Sequence, residues 1–201
     1  MEKYEKILEY LEYNKNRSCD KYEFGMHEID KREVFITTKH SYGFVNNKPI
    51  LPGHILLTTL KKKKKYIDLD VEEIVDINLL SNFMCYIMGK LFNTTSFSIA
   101  IQDGKEAGQT VEQVHIHIIP RKSSDYKNND NIYKDLNKIN SGYGRNIICD
   151  SCQHSINVFS HIPIEENFKL EEFNISIRSI EEMEKEASLI KSYIHNFSLQ
   201  K

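Results

Sequence analysis

Apolar residues change their spacing several times along this chain, and each change marks a new element. Tyr4, Ile7, Leu8 and Leu11 recur at helical spacing among charges. Residues 1 to about 20 therefore read as a short amphipathic helix, either packed on the domain or a loosely attached extension. From Glu33 the period shortens to that of strands: Val34–Thr38, Tyr42–Val45 and His54–Leu60. The last two are separated by the turn formers of residues 46–53. Asp70 and Glu73 have capping-box spacing and open a long helix. Its apolar face is Ile74, Leu80, Phe83, Met84, Ile87 and Leu91. Residues 93–95 close it, and Ser96–Ile101 reads as a further strand. A Gly-containing turn over 102–111 then leads into a strand that begins at Gln113 and stops at Pro120-Arg121.

Beyond Arg121 the pattern fades. Residues 123–131 read as loop, and a short helical piece is expected around Ile132–Leu136. Residues 140–177 lack periodicity and are expected to be a mobile polar insertion. Ser179 and Glu182 form a second capping box, opening a C-terminal helix with Ile180, Met183, Ala187, Ile190 and Ile194 along one side. The layout predicts an α+β fold: an antiparallel sheet packed with one long helix and a C-terminal helix. The domain spans 21–139 plus 178–201, with residues 1–20 as a helical extension and 140–177 as the insertion.

The candidate chemistry sits in the last strand. Side chains alternate across a strand, so Gln113, His115 and His117 share one face while Val114, Ile116 and Ile118 anchor the other. Two imidazoles on a rigid element suit nucleophilic or general-base work near neutral pH. The preceding Gly turn can aim backbone N–H groups at an anion. Gln102, at its start, serves equally as a polar cap or a ligand contact. Zinc is the alternative use of alternate strand histidines, with His54 as a third ligand. No carboxylate lies nearby in sequence, and no tightly bound metal is expected. Cys149, Cys152, His154 and His161 have a hint of metal-finger spacing, but incidental residues in an insertion are the favoured reading. His40 and His195 are expected at the surface.

Composition narrows the classes. The 201 residues carry a formal net charge of -2, against bulk electrostatic binding to nucleic acid. There is no apolar run of about 18 residues, so no membrane span is expected. The N-terminus lacks the apolar core of a secretory signal. Four sparse cysteines favour a reducing compartment. The cytoplasm is expected, and the nucleus remains open. The five lysines 61–65 read as a solvated loop rather than a phosphate or partner contact.

At these residues the chain resembles the histidine triad superfamily, and within it the fragile histidine triad branch. The likeness extends through Phe24-Gly25-x-His27, Val45-Asn-x-Lys-Pro-x-x-Pro-Gly-His54, Gln102-Asp-Gly-x-Glu-Ala-Gly-Gln-Thr-Val111, Pro120-Arg-Lys122, Asn129-Asp-x-Ile-Tyr133 and Arg178-Ser-x-Glu-Glu-Met183. It covers residues 22–139 and 178–196.

The resemblance implies hydrolysis of dinucleoside polyphosphates, such as diadenosine triphosphate, through a nucleotidyl-histidine intermediate. It puts His115 on the nucleophile position, His117 on a phosphate contact that also assists the leaving group, and His54 on a supporting position. Gln102, Gly108, Gln109, Thr110 and Val111 fall on phosphate-binding positions. Asn46 falls where ribose hydroxyls are held, His27 on a nucleotide contact, and Phe24 and Phe44 beside the base. A homodimer is implied, with a nucleotide as small-molecule partner and Mg2+ or Mn2+ arriving on the substrate phosphates. One position departs: the triad's first histidine is Gln113, which hydrogen-bonds but does not titrate. The alternatives are a nucleotide-bound signalling module with incidental hydrolysis, or a related nucleotidyl-phosphoramidate hydrolase or transferase.

Overall fold

The computed structural model describes residues 1–123, 125–139 and 177–199. Its frame is a five-stranded antiparallel sheet in the order β3-β4-β5-β7-β6. The strands are β3 (Val34–Thr37), β4 (Ser41–Val45), β5 (Ile55–Thr59), β6 (Ser96–Ala100) and β7 (His115–Arg121). A hairpin of β1 (Tyr22–Phe24) and β2 (His27–Ile29) stands apart as a second, two-stranded sheet. The sequence pattern did not announce this hairpin. Each arm has three residues, too few to display a period.

Four helices complete the described chain: α1 (Glu2–Tyr10), α2 (Val71–Phe92), α3 (Asn131–Ile139) and α4 (Ile180–Leu199). The two capping boxes form where the sequence puts them. Glu73 Oε2 accepts from the Asp70 N–H at 2.9 Å, and Glu182 Oε2 accepts from the Ser179 N–H at 2.9 Å. Asn93, in left-handed conformation, ends α2 with its N–H on the Gly89 carbonyl. None of the described helices is long and apolar enough to cross a membrane.

Periodicity explains the packing. One sheet face buries Phe35, Ile36, Leu57, Ile116 and Ile118 against Leu80, Phe83, Met84 and Ile87 of α2 and Ile190 and Ile194 of α4. The N-terminal segment is part of this core. Its helix is shorter than expected, ending near Leu11, yet Ile7, Leu8 and Leu11 are buried and Tyr4 stacks on Tyr86 at 4.0 Å. The opposite sheet face buries Phe44, Leu56 and Val111 against Tyr22, Phe24 and Ile29 of the hairpin. The hairpin thus roofs the face from which the two histidines project. A third cluster joins Ile119 to Ile132 and Leu136 of α3.

Four of the five lysines are exposed, as expected of a solvated loop, and backbone and ion-pair contacts hold the run in place. The Lys63 carbonyl accepts from the Val114 N–H at 2.8 Å, and Lys63 Nζ reaches Asp70 at 3.2 Å and Glu73 at 3.5 Å. Lys64 pairs with Glu112 at 2.7 Å, and Lys62 with Glu23 at 3.1 Å. The run lies along the turn that precedes β7, so its charges face partners in this chain. Most of the expected 140–177 insertion, with Cys149, Cys152, His154 and His161, lies outside the described residues.

Candidate active site

β7 lies between β5 and β6, and this position holds its histidines on both sides. His115 is opposite Thr58, and His117 is opposite Leu56 and Ala100. The rings of His115 and His117 are 4.9 Å apart, and those of His117 and His54 5.2 Å. Three imidazoles separated by up to 63 positions in sequence therefore form one row. All three are buried, at 4%, 2% and 0% exposure for His115, His117 and His54.

Burial disfavours imidazolium, so each ring is held neutral below its ordinary pKa of 6.5. His54 is pushed down to about 3, first by burial, then by the Arg178 guanidinium and His115. His117 is driven well below its usual value by burial and by its two neighbours. Burial also lowers His115, with a partial opposing effect from its bond to the Gln113 backbone.

A neutral imidazole carries one N–H, and the hydrogen bonds assign it. His115 Nδ1–H donates to the Gln113 carbonyl at 2.8 Å. Its Nε2 is left with a bare lone pair, the form that attacks phosphorus. At His54, Nδ1 accepts from the Ile50 N–H at 3.2 Å. Its proton is therefore on Nε2 and is donated to His117 Nδ1 at 3.0 Å. That puts the His117 proton on Nε2, a buried atom without a protein partner. Two backbone groups thus fix opposite tautomers on adjacent rings: a bare Nε2 at His115 and an Nε2–H at His117.

The departure at Gln113 takes a different form from the one the strand pattern predicts. β7 begins at His115, so Gln113 precedes the ladder. Its side chain is fully buried and fully used. Oε1 accepts from the Gly25 N–H at 2.8 Å, while Nε2 donates to Thr58 Oγ1 at 3.1 Å and the Thr59 carbonyl at 2.9 Å. It ties the β1–β2 turn to β5. Gly25 has φ +61, and a Cβ there would lie 2.5 Å from Val111 Cγ1, so that turn admits only glycine.

The Gly turn closes on itself. Gly104 (φ +100) and Gly108 (φ +88) bracket a 3-10 turn, Lys105–Ala107. Gln109 Oε1 accepts from the Gly104 N–H at 2.7 Å, and its Nε2 donates to the carbonyls of Lys64 at 3.0 Å and Gln113 at 3.3 Å. The Gln109 amide thus holds the loop in shape and touches the same carbonyl that orients His115. Val111 has its side chain in the apolar cluster under the hairpin, which leaves only its backbone to face a ligand. Thr110 is exposed, and Gly108 and Gln102 are half-buried.

Asn46 is buried, with Nδ2 at 3.3 and 3.4 Å from the two ring nitrogens of His54. Phe24 stands perpendicular to the His115 ring at 5.0 Å and packs on Phe44. His27 begins β2, half-buried. His40 and His195, expected at the surface, are half-buried: His40 gives its carbonyl to the Leu60 N–H, and His195 lies late in α4. Among the described residues, no group of three His, Cys, Asp or Glu side chains is placed to hold a metal ion. The orienting carbonyl of Gln113 and the Ile50 amide escaped sequence reading, because a backbone group has no letter of its own.

Known proteins match this chain over the same region. The HIT domain matches residues 27–124. A bis(5'-adenosyl)-triphosphatase of Dictyostelium discoideum is 46% identical over 115 residues, 57% of this chain and 77% of the relative. The chain belongs to the HIT-domain family. Within that family, an asymmetrical bis(5'-nucleosyl)-tetraphosphatase of Schizosaccharomyces pombe is 36% identical over 167 residues, 80% of this chain and 88% of the relative. The crystal structure of Plasmodium falciparum diadenosine triphosphate hydrolase superposes with a TM-score of 0.71 at 58% identity, covering 98% of this chain and 99% of that one. The α+β architecture described above is the HIT fold.

Gln113 gives a direct test of what its position does in this HIT domain. Gln113→Leu removes the acceptor of the half-buried Gly25 N–H and the amide donor to Thr58 and Thr59, at a cost of about 2–4 kcal/mol in urea unfolding. Gln113→His keeps one donor and one acceptor, and keeps the backbone carbonyl that orients His115. Its kcat should stay within about tenfold of wild type, since tenfold corresponds to about 1.4 kcal/mol. A neutral cost for Gln113→Leu, or a far larger gain for Gln113→His, contradicts this assignment.

Proposed function

We propose that this chain hydrolyses dinucleoside polyphosphates of the diadenosine triphosphate type to a nucleoside monophosphate and the remaining nucleotide. The observation that carries this reading is the opposed tautomer pair: a bare Nε2 on His115 beside an Nε2–H on His117. The relatives named as hydrolases of these compounds, at 36–58% identity, support the substrate class.

The chemistry runs in two displacements. His115 Nε2 attacks the phosphorus next to one nucleoside. An N–P bond forms as the bond to the bridging oxygen breaks, and the other nucleotide leaves with the electron pair. His115, still donating through Nδ1–H to Gln113, becomes a nucleotidylated imidazolium. Its positive charge offsets the phosphoryl anion beside two other buried imidazoles. Water then attacks phosphorus, the N–P bond breaks, and neutral His115 returns as the monophosphate and a proton depart. His117 Nε2–H donates to the oxygens that gain charge in both steps and keeps its proton, because a neutral imidazole is a very weak acid.

Asn46 would hold ribose hydroxyls, with His27, Phe24 and Phe44 around the base. Gln102 and the backbone of 108–111 would face the phosphates, with Mg2+ or Mn2+ arriving on them as part of the substrate. A twofold homodimer would form through β6, an edge strand with Ile99 54% and the adjoining Ile101 39% exposed, together with the adjacent part of α2. A reducing compartment, with the cytoplasm first, fits the free thiols of Cys19 and Cys85.

The test is product analysis on diadenosine triphosphate and tetraphosphate with Mg2+. Wild type should release AMP from the triphosphate. His115→Asn should lose turnover by at least about a thousandfold while still binding nucleotide, because the swap removes only the nucleophile. Near-normal turnover by that variant, or a nucleotide trapped on another residue, rules the mechanism out. Light scattering of the same sample should give twice the 23.6 kDa chain mass, and a monomer rules out the β6 assembly.

A further inference from the structure

Arg178 lies just ahead of α4, and its buried contacts join that helix to a distant turn. Its guanidinium pairs with Glu186 Oε2 through Nη1 at 2.6 Å, with the two side chains 8% and 2% exposed. Through Nη2 it donates to the Asn46 carbonyl. Its backbone N–H donates to the Asn47 carbonyl at 2.9 Å. A buried cation is tolerated only where a counter-charge and hydrogen bonds replace water, and Glu186 is that counter-charge. The pair is therefore a rigid bracket at the β4–β5 turn, 132 positions away in sequence.

That turn builds the far end of the histidine row. Asn46 Oδ1 accepts from the Lys48 N–H at 3.0 Å and shapes the turn. The Asn46 N–H donates to the His54 carbonyl at 3.4 Å, and the Asn46 amide lies against the His54 ring. The Ile50 N–H, in the same turn, assigns the His54 tautomer and through it the His117 donor. A turn residue displaced by a few tenths of an ångström weakens that bond steeply, because hydrogen bonds are sensitive to distance and angle.

We propose that Arg178 is a positioning residue for the reaction: with Glu186 as its counter-ion, it clamps the Asn46–Ile50 turn so that His54 presents its proton to His117. The inference rests on the hydrolase reading for its kinetics, but not for its geometry. The guanidinium also stands near enough to His54 to disfavour imidazolium there, which keeps the donor relay in one protonation state.

Two variants separate clamping from mere stability. Arg178→Lys keeps the charge but not the fork that reaches Glu186 and Asn46 together. It should lower kcat on diadenosine triphosphate about tenfold, with KM moved less than about threefold, as a small misplacement of a donor does. The second arm repeats the substitution in a His54→Asn background, where the relay is already broken. There Arg178→Lys should change kcat by less than about twofold, because two residues acting through one path are not additive. An equal tenfold loss in both backgrounds, or full kcat in the single variant, overturns the proposal. Thermal unfolding of every variant identifies any that fail to fold, and Glu186→Gln, which breaks the bracket from the other side, then replaces it in the same cycle. If wild type shows no turnover, the hydrolase reading fails instead. The clamp is then read from imidazole 15N spectra, where Arg178→Lys should broaden or mix the His54 tautomer and an unchanged His54 signal refutes it.

Discussion

A neutral imidazole holds one proton for two nitrogens, and this structure depends on where those protons are placed. Burial keeps His54, His115 and His117 uncharged, so none can donate from both nitrogens. The Gln113 carbonyl claims the Nδ1 proton of His115, and the Ile50 N–H forces the His54 proton to Nε2. From those two backbone contacts the remaining chemistry follows. A lone pair and an N–H are carried on neighbouring rings 4.9 Å apart, the pairing that the proposed attack on phosphorus would use.

The same constraint explains how Gln113 stands where the family's triad has histidine. His115 uses only the residue's carbonyl, which any amino acid supplies. The side chain has a structural task, joining Gly25 to Thr58 and Thr59 beneath the hairpin. An amide with one acceptor and two donors meets it completely. The loop residue Gln109 reinforces the arrangement by donating to the same Gln113 carbonyl and to the lysine run. The Lys63 and Lys64 carbonyls are therefore part of the scaffold around the 102–111 turn, while exposed side chains of the run pair with Glu112 and Glu23 at the surface.

Regular elements were legible because they repeat. The period-two alternation of His115 and His117 with Ile116 and Ile118 put both imidazoles on one face, and the capping pairs Asp70/Glu73 and Ser179/Glu182 marked two helix starts. Short or aperiodic features were not legible. The Tyr22–Ile29 hairpin has three-residue arms, and β7 starts two residues later than alternation suggests because Gln113 turns aside to bond Gly25. Five consecutive lysines read as solvated, and four are exposed, but nothing in the run names the backbone bonds it makes. The Arg178–Asn46 contact joins positions too far apart for any local pattern to report. Within the site, side-chain identities were readable, whereas the two backbone groups that assign the protons were not.

The most direct measurement is a long-range 15N–1H correlation spectrum of the imidazoles in the nucleotide-free protein at about pH 7.5, above the ordinary histidine pKa. The account predicts three neutral rings, with the proton on Nδ1 of His115 and on Nε2 of both His54 and His117. An imidazolium signal from any of the three, or a His115 ring protonated on Nε2, would contradict it.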